Sequence, residues 1–150
     1  MKKEILSVSF SLSKKQVLLV IVLNTKSKSM EIAIIAHDGK KAEMVQFLNE
    51  QAEILHKNEI TLVATGTTGS KVEKAGFVVT KLLSGPYGGD AQIAARVAEG
   101  KCNMVLFFRD PLEKHPHEPD IFMLMRLCDV HDIPLATNPA TATLLLRAIE

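Results

Sequence analysis

Five short apolar runs, each leading through a polar loop into the next element, constrain this chain more than any other feature. The runs are EIAIIA (31–36), ITLVAT (60–65), FVVTKLL (77–83), CNMVLFF (102–108) and IPLAT (133–137). Near-continuous apolar runs of this length, lacking the alternation of a half-exposed sheet, read as buried strands. Between the first two, Val45, Leu48, Ala52 and Leu55 recur at helical spacing, and Gly76 and Gly100 stand where helix C-caps are expected. Alternating strands and helices pair in parallel through right-handed crossovers. The expected fold class is therefore α/β: a doubly wound, Rossmann-like three-layer sandwich with a five-stranded, mainly parallel sheet. At 150 residues, 47% of them hydrophobic, the chain can bury one good core, and residues 30–150 read as one domain.

Residues 1–29 depart from that pattern. VLLVIVL (17–23) is seven residues long, whereas a bilayer span needs about 20. NTKSKS follows where a secretory signal would carry its small-residue cleavage site. The segment is expected to be a dispensable extension or to precede a true start at Met30, with an extra edge strand as the structural alternative. Cys102 and Cys128 each sit in an apolar stretch, the pattern of reduced core thiols in a cytosolic protein. A formal net charge of +1, with no basic run interleaved with aromatics, gives no footprint for nucleic acid. A small-molecule partner is expected.

In an open α/β sheet, ligands sit beyond the carboxyl ends of the strands. The loops there are HDGKK, TGTTGS, SGPYGGD, RDPLEKHPHEPD and TNPAT. They carry most of the reactive side chains, among them His37, Asp38, Lys41, Thr65, Thr67, Thr68, Ser84, Asp90, His115, His117 and Asp120. In SGPYGGD, three glycines and a proline precede one aspartate, more than a plain surface turn requires. Asp90 is read either as the N-cap of the helix that follows or as a carboxylate placed against a ligand. TGTTGS offers hydroxyls and backbone N–H groups directly before a helix, an arrangement that holds a phosphate. It lacks the spacing of a Walker A loop, and no GxGxxG is present, so neither a nucleoside triphosphate nor a dinucleotide is indicated.

Lys41 can add positive charge to such a cradle, although a lone lysine on a first helical turn reads as solvated surface. HPHEPD (115–120) holds two histidines and two carboxylates within six residues, yet has neither a cysteine pair nor HExxH spacing. A histidine held by Asp120 and aimed into the pocket is therefore expected, with no metal. His56 and His131 read as helix-end residues without a further role. A phosphate cradle, a carboxylate on a glycine loop and an orientable histidine together suit proton abstraction beside the carbonyl of a small phosphorylated sugar.

AHDGKK, ATGTTG, LSGPYGGDAQ, FFRDPLEKHPHEPD and IPLATN, in this order, closely resemble the methylglyoxal synthase family from residue 30 to about residue 147. The resemblance implies conversion of dihydroxyacetone phosphate to methylglyoxal and inorganic phosphate without metal or organic cofactor, by a cytoplasmic homohexamer. Inorganic phosphate, as product, is expected to inhibit. The resemblance makes Asp90 the catalytic base, His117 the group that hydrogen-bonds the carbonyl and hydroxyl oxygens and relays protons, and Asp120 its orienting partner. Lys41, Thr65, Gly66, Thr67, Thr68, Ser84 and Gly85 match phosphate and substrate contacts, and His37 with Asp38 matches the first-loop pair. Relatives continue past the position of Glu150 with a segment that can supply a basic residue to a neighbouring subunit, so phosphate affinity, regulation and assembly are where this chain is expected to differ. The same fold also occurs as a non-catalytic regulatory domain that binds phosphate-type effectors, the alternative function.

Overall fold

The computed structural model describes Ser13, Lys15 and residues 29–57 and 59–150. The expected extension over residues 1–29, with the extra edge strand as its structural alternative, lies outside the described residues apart from isolated positions. From the first strand onward the chain runs β1 (Glu31–Ala36), a 3-10 turn (Asp38–Lys40), α1 (Lys41–Glu50), α2 (Ala52–Lys57), β2 (Thr61–Ala64), α3 (Gly66–Lys74) and β3 (Val79–Lys81). A second 3-10 turn (Gly85–Tyr87) then leads into α4 (Gly89–Ala98), β4 (Met104–Phe108), α5 (Glu118–Val130), β5 (Leu135–Ala136) and α6 (Pro139–Arg147).

The sheet order is β3-β2-β1-β4-β5, and every pairing is parallel. The strands are apolar on both faces because both faces are covered. On one side Ile32, Ile34, Leu106 and Phe108 pack with Met44, Leu48, Val72 and Leu146 from α1, α3 and α6. On the other, Ala33, Ile35, Val105 and Phe107 pack with Ile93, Val97, Ile121 and Leu124 from α4 and α5. Adjacent residues of β1 and β4 thus serve opposite cores, as the two-residue strand period requires. Leu106 is fully buried, and truncating it to Ala would cost about 2–5 kcal/mol through lost burial and the cavity left behind.

Two strand expectations were too generous. FVVTKLL pairs only over Val79–Lys81, and Val78 is 94% exposed. This strand is the sheet edge, with β2 on one side only, so an apolar sequence there does not imply burial on both faces. IPLAT likewise contributes only Leu135–Ala136. The expected helix ends hold: Gly76 and Gly100 have φ of +98° and +68°. Cys102 and Cys128 are buried free thiols, and burial pushes the Cys128 thiol up to about 11. His131 caps α5, and His56, in the last turn of α2, stacks on Phe77.

The order places β1 beside β4, although β2 and β3 come between them in sequence. Chain segments leave the carboxyl ends of these two strands toward opposite faces of the sheet, and the crevice that opens there is where such folds bind ligands.

Candidate active site

At that crevice lies a cleft whose walls come from four of the strand-end loops. His37 follows β1 directly. Its backbone N–H donates to Phe108 O across the β1–β4 boundary (3.1 Å), and its Nδ1 accepts from the Asp110 N–H (2.8 Å). An Nδ1 acting as acceptor leaves the ring proton on Nε2, which is buried and has no partner among the described residues. The His37 pKa is lowered to about 4, first by burial and then by the charges of His115, His117 and Arg109, against Asp110. His37 is therefore a neutral imidazole with a donor at the cleft.

Lys41 opens α1. Contrary to the solvated-surface reading, it is 8% exposed, its Nζ paired with the Asp38 carboxylate and donating to Thr67 Oγ1 at 2.7 Å. The Lys41 hydrogen bond and charge hold the Asp38 carboxyl below the usual range. Thr65, the N-cap residue of α3, and Thr68 are buried, their hydroxyls 3.4 Å apart, with Thr68 Oγ1 also 3.4 Å from Ala36 O. Thr65 and Thr67 line the cleft; Thr68 faces the β1 backbone instead. The Gly66 N–H is taken by Leu83 O (3.0 Å). This leaves Thr67 and Thr68 as first-turn amides without a helical acceptor, beside a lysine, the local chemistry of an anion site.

The glycine loop answers the question its composition raises. Gly88 adopts φ +100° to end the 3-10 turn and start α4. At Gly89 a Cβ would lie 2.0 Å from Leu83 O, so only glycine lets the two segments meet. At Gly85 a Cβ would lie 3.0 Å from Asp90 Oδ2 and 3.2 Å from His117 Nε2, so that glycine keeps open the space where these side chains face each other. Ser84 shapes this loop through its carbonyl, which accepts from the Tyr87 and Gly89 N–H groups. It is not part of the cleft wall.

Asp90 does not cap its helix. Gly88 holds the N-cap position, and no side chain makes a cap hydrogen bond. The Asp90 side chain is 1% exposed, and neither carboxylate oxygen has a hydrogen-bond partner among the described residues. His117 Nε2 is its nearest counter-group, at 3.5 Å from Oδ2. Burial raises the Asp90 pKa; His117 lowers it and Asp120 raises it. Asp120 holds His117 through the backbone, its N–H donating to His117 O (3.0 Å). His117 Nδ1 itself has no partner among the described residues, so orientation by the Asp120 carboxylate is not formed here.

On sequence alone His115 is a reactive loop residue without an assigned role, and Arg109 is not singled out. His115 stacks on His37 with ring centroids 3.6 Å apart, and Arg109 acts on His37 with its Nε buried and unpartnered. The signal available for His115 was its position two residues before His117, in a proline-stiffened loop after β4. Among the described residues no group of three or more His, Cys, Asp or Glu is arranged to hold a metal ion.

Fold and site together define a doubly wound α/β domain that sets a buried carboxylate and an imidazole beside a buried lysine and the threonines that open a helix. Residues 47–137 match the family model of the MGS-like domain. A methylglyoxal synthase of Geobacillus thermodenitrificans is 56% identical over 122 residues, covering 81% of this chain and 83% of the relative. One from Clostridium botulinum (strain Alaska E43 / Type E3) is 53% identical over 119 residues, covering 79% and 98%. The crystal structure of methylglyoxal synthase from Elizabethkingia anophelis NUHP1 superposes with a TM-score of 0.74 at 39% identity, covering 79% of this chain and 78% of that one. The chain belongs to the methylglyoxal synthase family.

Proposed function

We propose that the cleft converts dihydroxyacetone phosphate to methylglyoxal and inorganic phosphate, a carbon-oxygen lyase reaction, with Asp90 as the base. The observation that carries the assignment is a fully buried carboxylate whose two oxygens lack partners, 3.5 Å from an imidazole. Desolvation makes such a carboxylate a stronger base than one in water. Asp90 takes a proton from the hydroxymethyl carbon, and the electron pair moves through the new C=C bond onto the carbonyl oxygen as an enediolate. Nε2–H donors of His117 and His37 stabilise that oxygen. Loss of the hydroxyl proton, relayed by His117, then forms the aldehyde carbonyl while the C=C electrons shift and expel phosphate with the electron pair of its C–O bond. The enolate that remains takes a proton at its terminal carbon and becomes methylglyoxal.

The phosphate lies against Lys41, Thr65, Thr67 and Gly85, which line the cleft, while Gly66, Thr68 and Ser84 shape the loops around it. Product phosphate occupies the same cradle and competes with substrate. A homohexamer follows from the family resemblance, and a cytoplasmic setting is supported by the two free thiols. No helix of the described residues is long and apolar enough to cross a membrane.

An effector-binding regulatory domain needs the cradle but has no use for the unpartnered Asp90. The test is incubation of purified protein with dihydroxyacetone phosphate, measuring methylglyoxal and phosphate together. Equimolar products support the reading, whereas phosphate binding without turnover would favour the effector domain.

A further inference from the structure

Three imidazoles, not the two implied by the resemblance, line the cleft: His37, His115 and His117. His115 lies against His37 (3.6 Å between centroids, planes 34° apart) and stands 5.8 Å from His117. Packing alone does not account for it. Phe107 already meets the His37 ring edge-on at 5.1 Å, and stacking makes no use of a ring nitrogen. Yet His115 Nε2 is buried with no partner among the described residues, a state that folded proteins keep only where something else fills the valence.

The position of His115 indicates which end of a ligand it meets. His115 lies against His37, which directly precedes Asp38, whereas the imidazole that faces Asp90 across 3.5 Å is His117, its ring centroid 5.8 Å from that of His115. His115 therefore belongs to the Asp38–Lys41 end of the cleft. Resting on the reading that this cleft takes a phosphate monoester, we propose that His115 is a substrate-contacting residue whose Nε2–H donates a hydrogen bond to a phosphate oxygen, completing a cradle of Lys41, Thr67 and the start of α3. His37 then presents its own Nε2–H to the carbon skeleton, its ring held in place by His115.

The experiment compares His115→Phe, which keeps the stacking ring and loses the donor, with His115→Gln, which keeps a donor and loses the ring. Inorganic phosphate is titrated calorimetrically into each folded variant and into the wild type. The expected result is a Kd about tenfold or more higher in His115→Phe, the loss of one hydrogen bond to a charged group, with partial retention in His115→Gln. Steady-state turnover should show the same change in KM with kcat largely kept. Wild-type phosphate affinity in His115→Phe would overturn the proposal and leave His115 a packing residue. If a variant fails to fold, the His115 ring resonances of the wild type serve instead: they should shift on phosphate addition, and unchanged resonances would equally overturn it. A wild type that binds phosphate but makes no methylglyoxal would refute the proposed reaction and leave the phosphate comparison intact.

Discussion

The two ends of the cleft are built on opposite principles. At the Lys41 end, the Nε2 atoms of His37 and His115 apart, polar groups satisfy one another before any ligand arrives: Lys41 pairs with Asp38 and Thr67, Thr65 with Thr68, and the Gly66 N–H with Leu83 O. At the Asp90 end, both carboxylate oxygens and His117 Nδ1 are buried and unpaired. A binding group gains from preorganisation, because a lysine already held in place loses little freedom when phosphate docks. A base gains from the reverse, because every hydrogen bond to its charged form would make it weaker. The fold thus stores an unfavourable environment at Asp90 and spreads ordinary hydrogen bonds around the cradle.

Replacing the base should separate the two ends most sharply. Asp90→Asn is expected to lower turnover by about 10² to 10⁴-fold while phosphate affinity stays near wild type. The same variant should be more stable at neutral pH. A raised folded-state pKa means that the stability contribution of Asp90 is fully present below the ordinary carboxylate value of 3.8 and is lost as pH rises through the higher folded value. Thermal melts of both proteins at pH 7 check this, and a less stable Asp90→Asn would show that the carboxylate is satisfied after all.

His117→Gln comes next, with turnover down by about 10²-fold because a general acid-base group is lost. Exhaustive EDTA treatment of the wild type should leave activity unchanged. Activity lost to chelation and restored by zinc would replace the hydrogen-bonding role of His117 with metal catalysis.

At the other end, Thr67→Val should weaken phosphate by roughly 1.5–3 kcal/mol, the loss of one hydrogen bond to a charged ligand, and raise KM with kcat largely kept. Phosphate titration is the check, and unchanged affinity would place the cradle elsewhere.

The smallest effect concerns His37. A folded pKa lowered to about 4 from 6.5 means that the unfolded chain binds more protons between these values. The stability contribution of His37 is then fully present above about pH 6.5 and is lost as pH falls toward 4. His37→Asn should flatten that slope in denaturant titrations between pH 4 and 6.5, and an unaltered slope would mean that His37 titrates normally.

Much of the fold was legible because hydrophobic runs report burial directly: β1 matches EIAIIA residue for residue, and β4 needs only two residues trimmed from CNMVLFF. The run FVVTKLL misled because its amino acids do not say whether a second strand will cover the outer edge. At the site, glycine crowding before Asp90 was a local signal with a steric cause, visible in the 2.0 Å approach at Gly89. Lys41 and His115 were harder. A buried lysine differs from a solvated one only through partners distant in sequence, here Thr67, 26 positions away, and His115 acquires meaning only by stacking on His37, which comes from another strand end. The resemblance implies that the Asp120 carboxylate orients His117, whereas the turn brings the Asp120 backbone N–H to the His117 carbonyl.

The division of labour is tested most directly by following loss of the hydroxymethyl proton of dihydroxyacetone phosphate to solvent at saturating substrate, in Asp90→Asn and Thr67→Val side by side. The account predicts that Thr67→Val releases the proton at close to the wild-type rate once saturated, while Asp90→Asn binds substrate and releases almost none. Near-normal proton loss in a folded Asp90→Asn, or equal impairment of both variants at saturation, would contradict it.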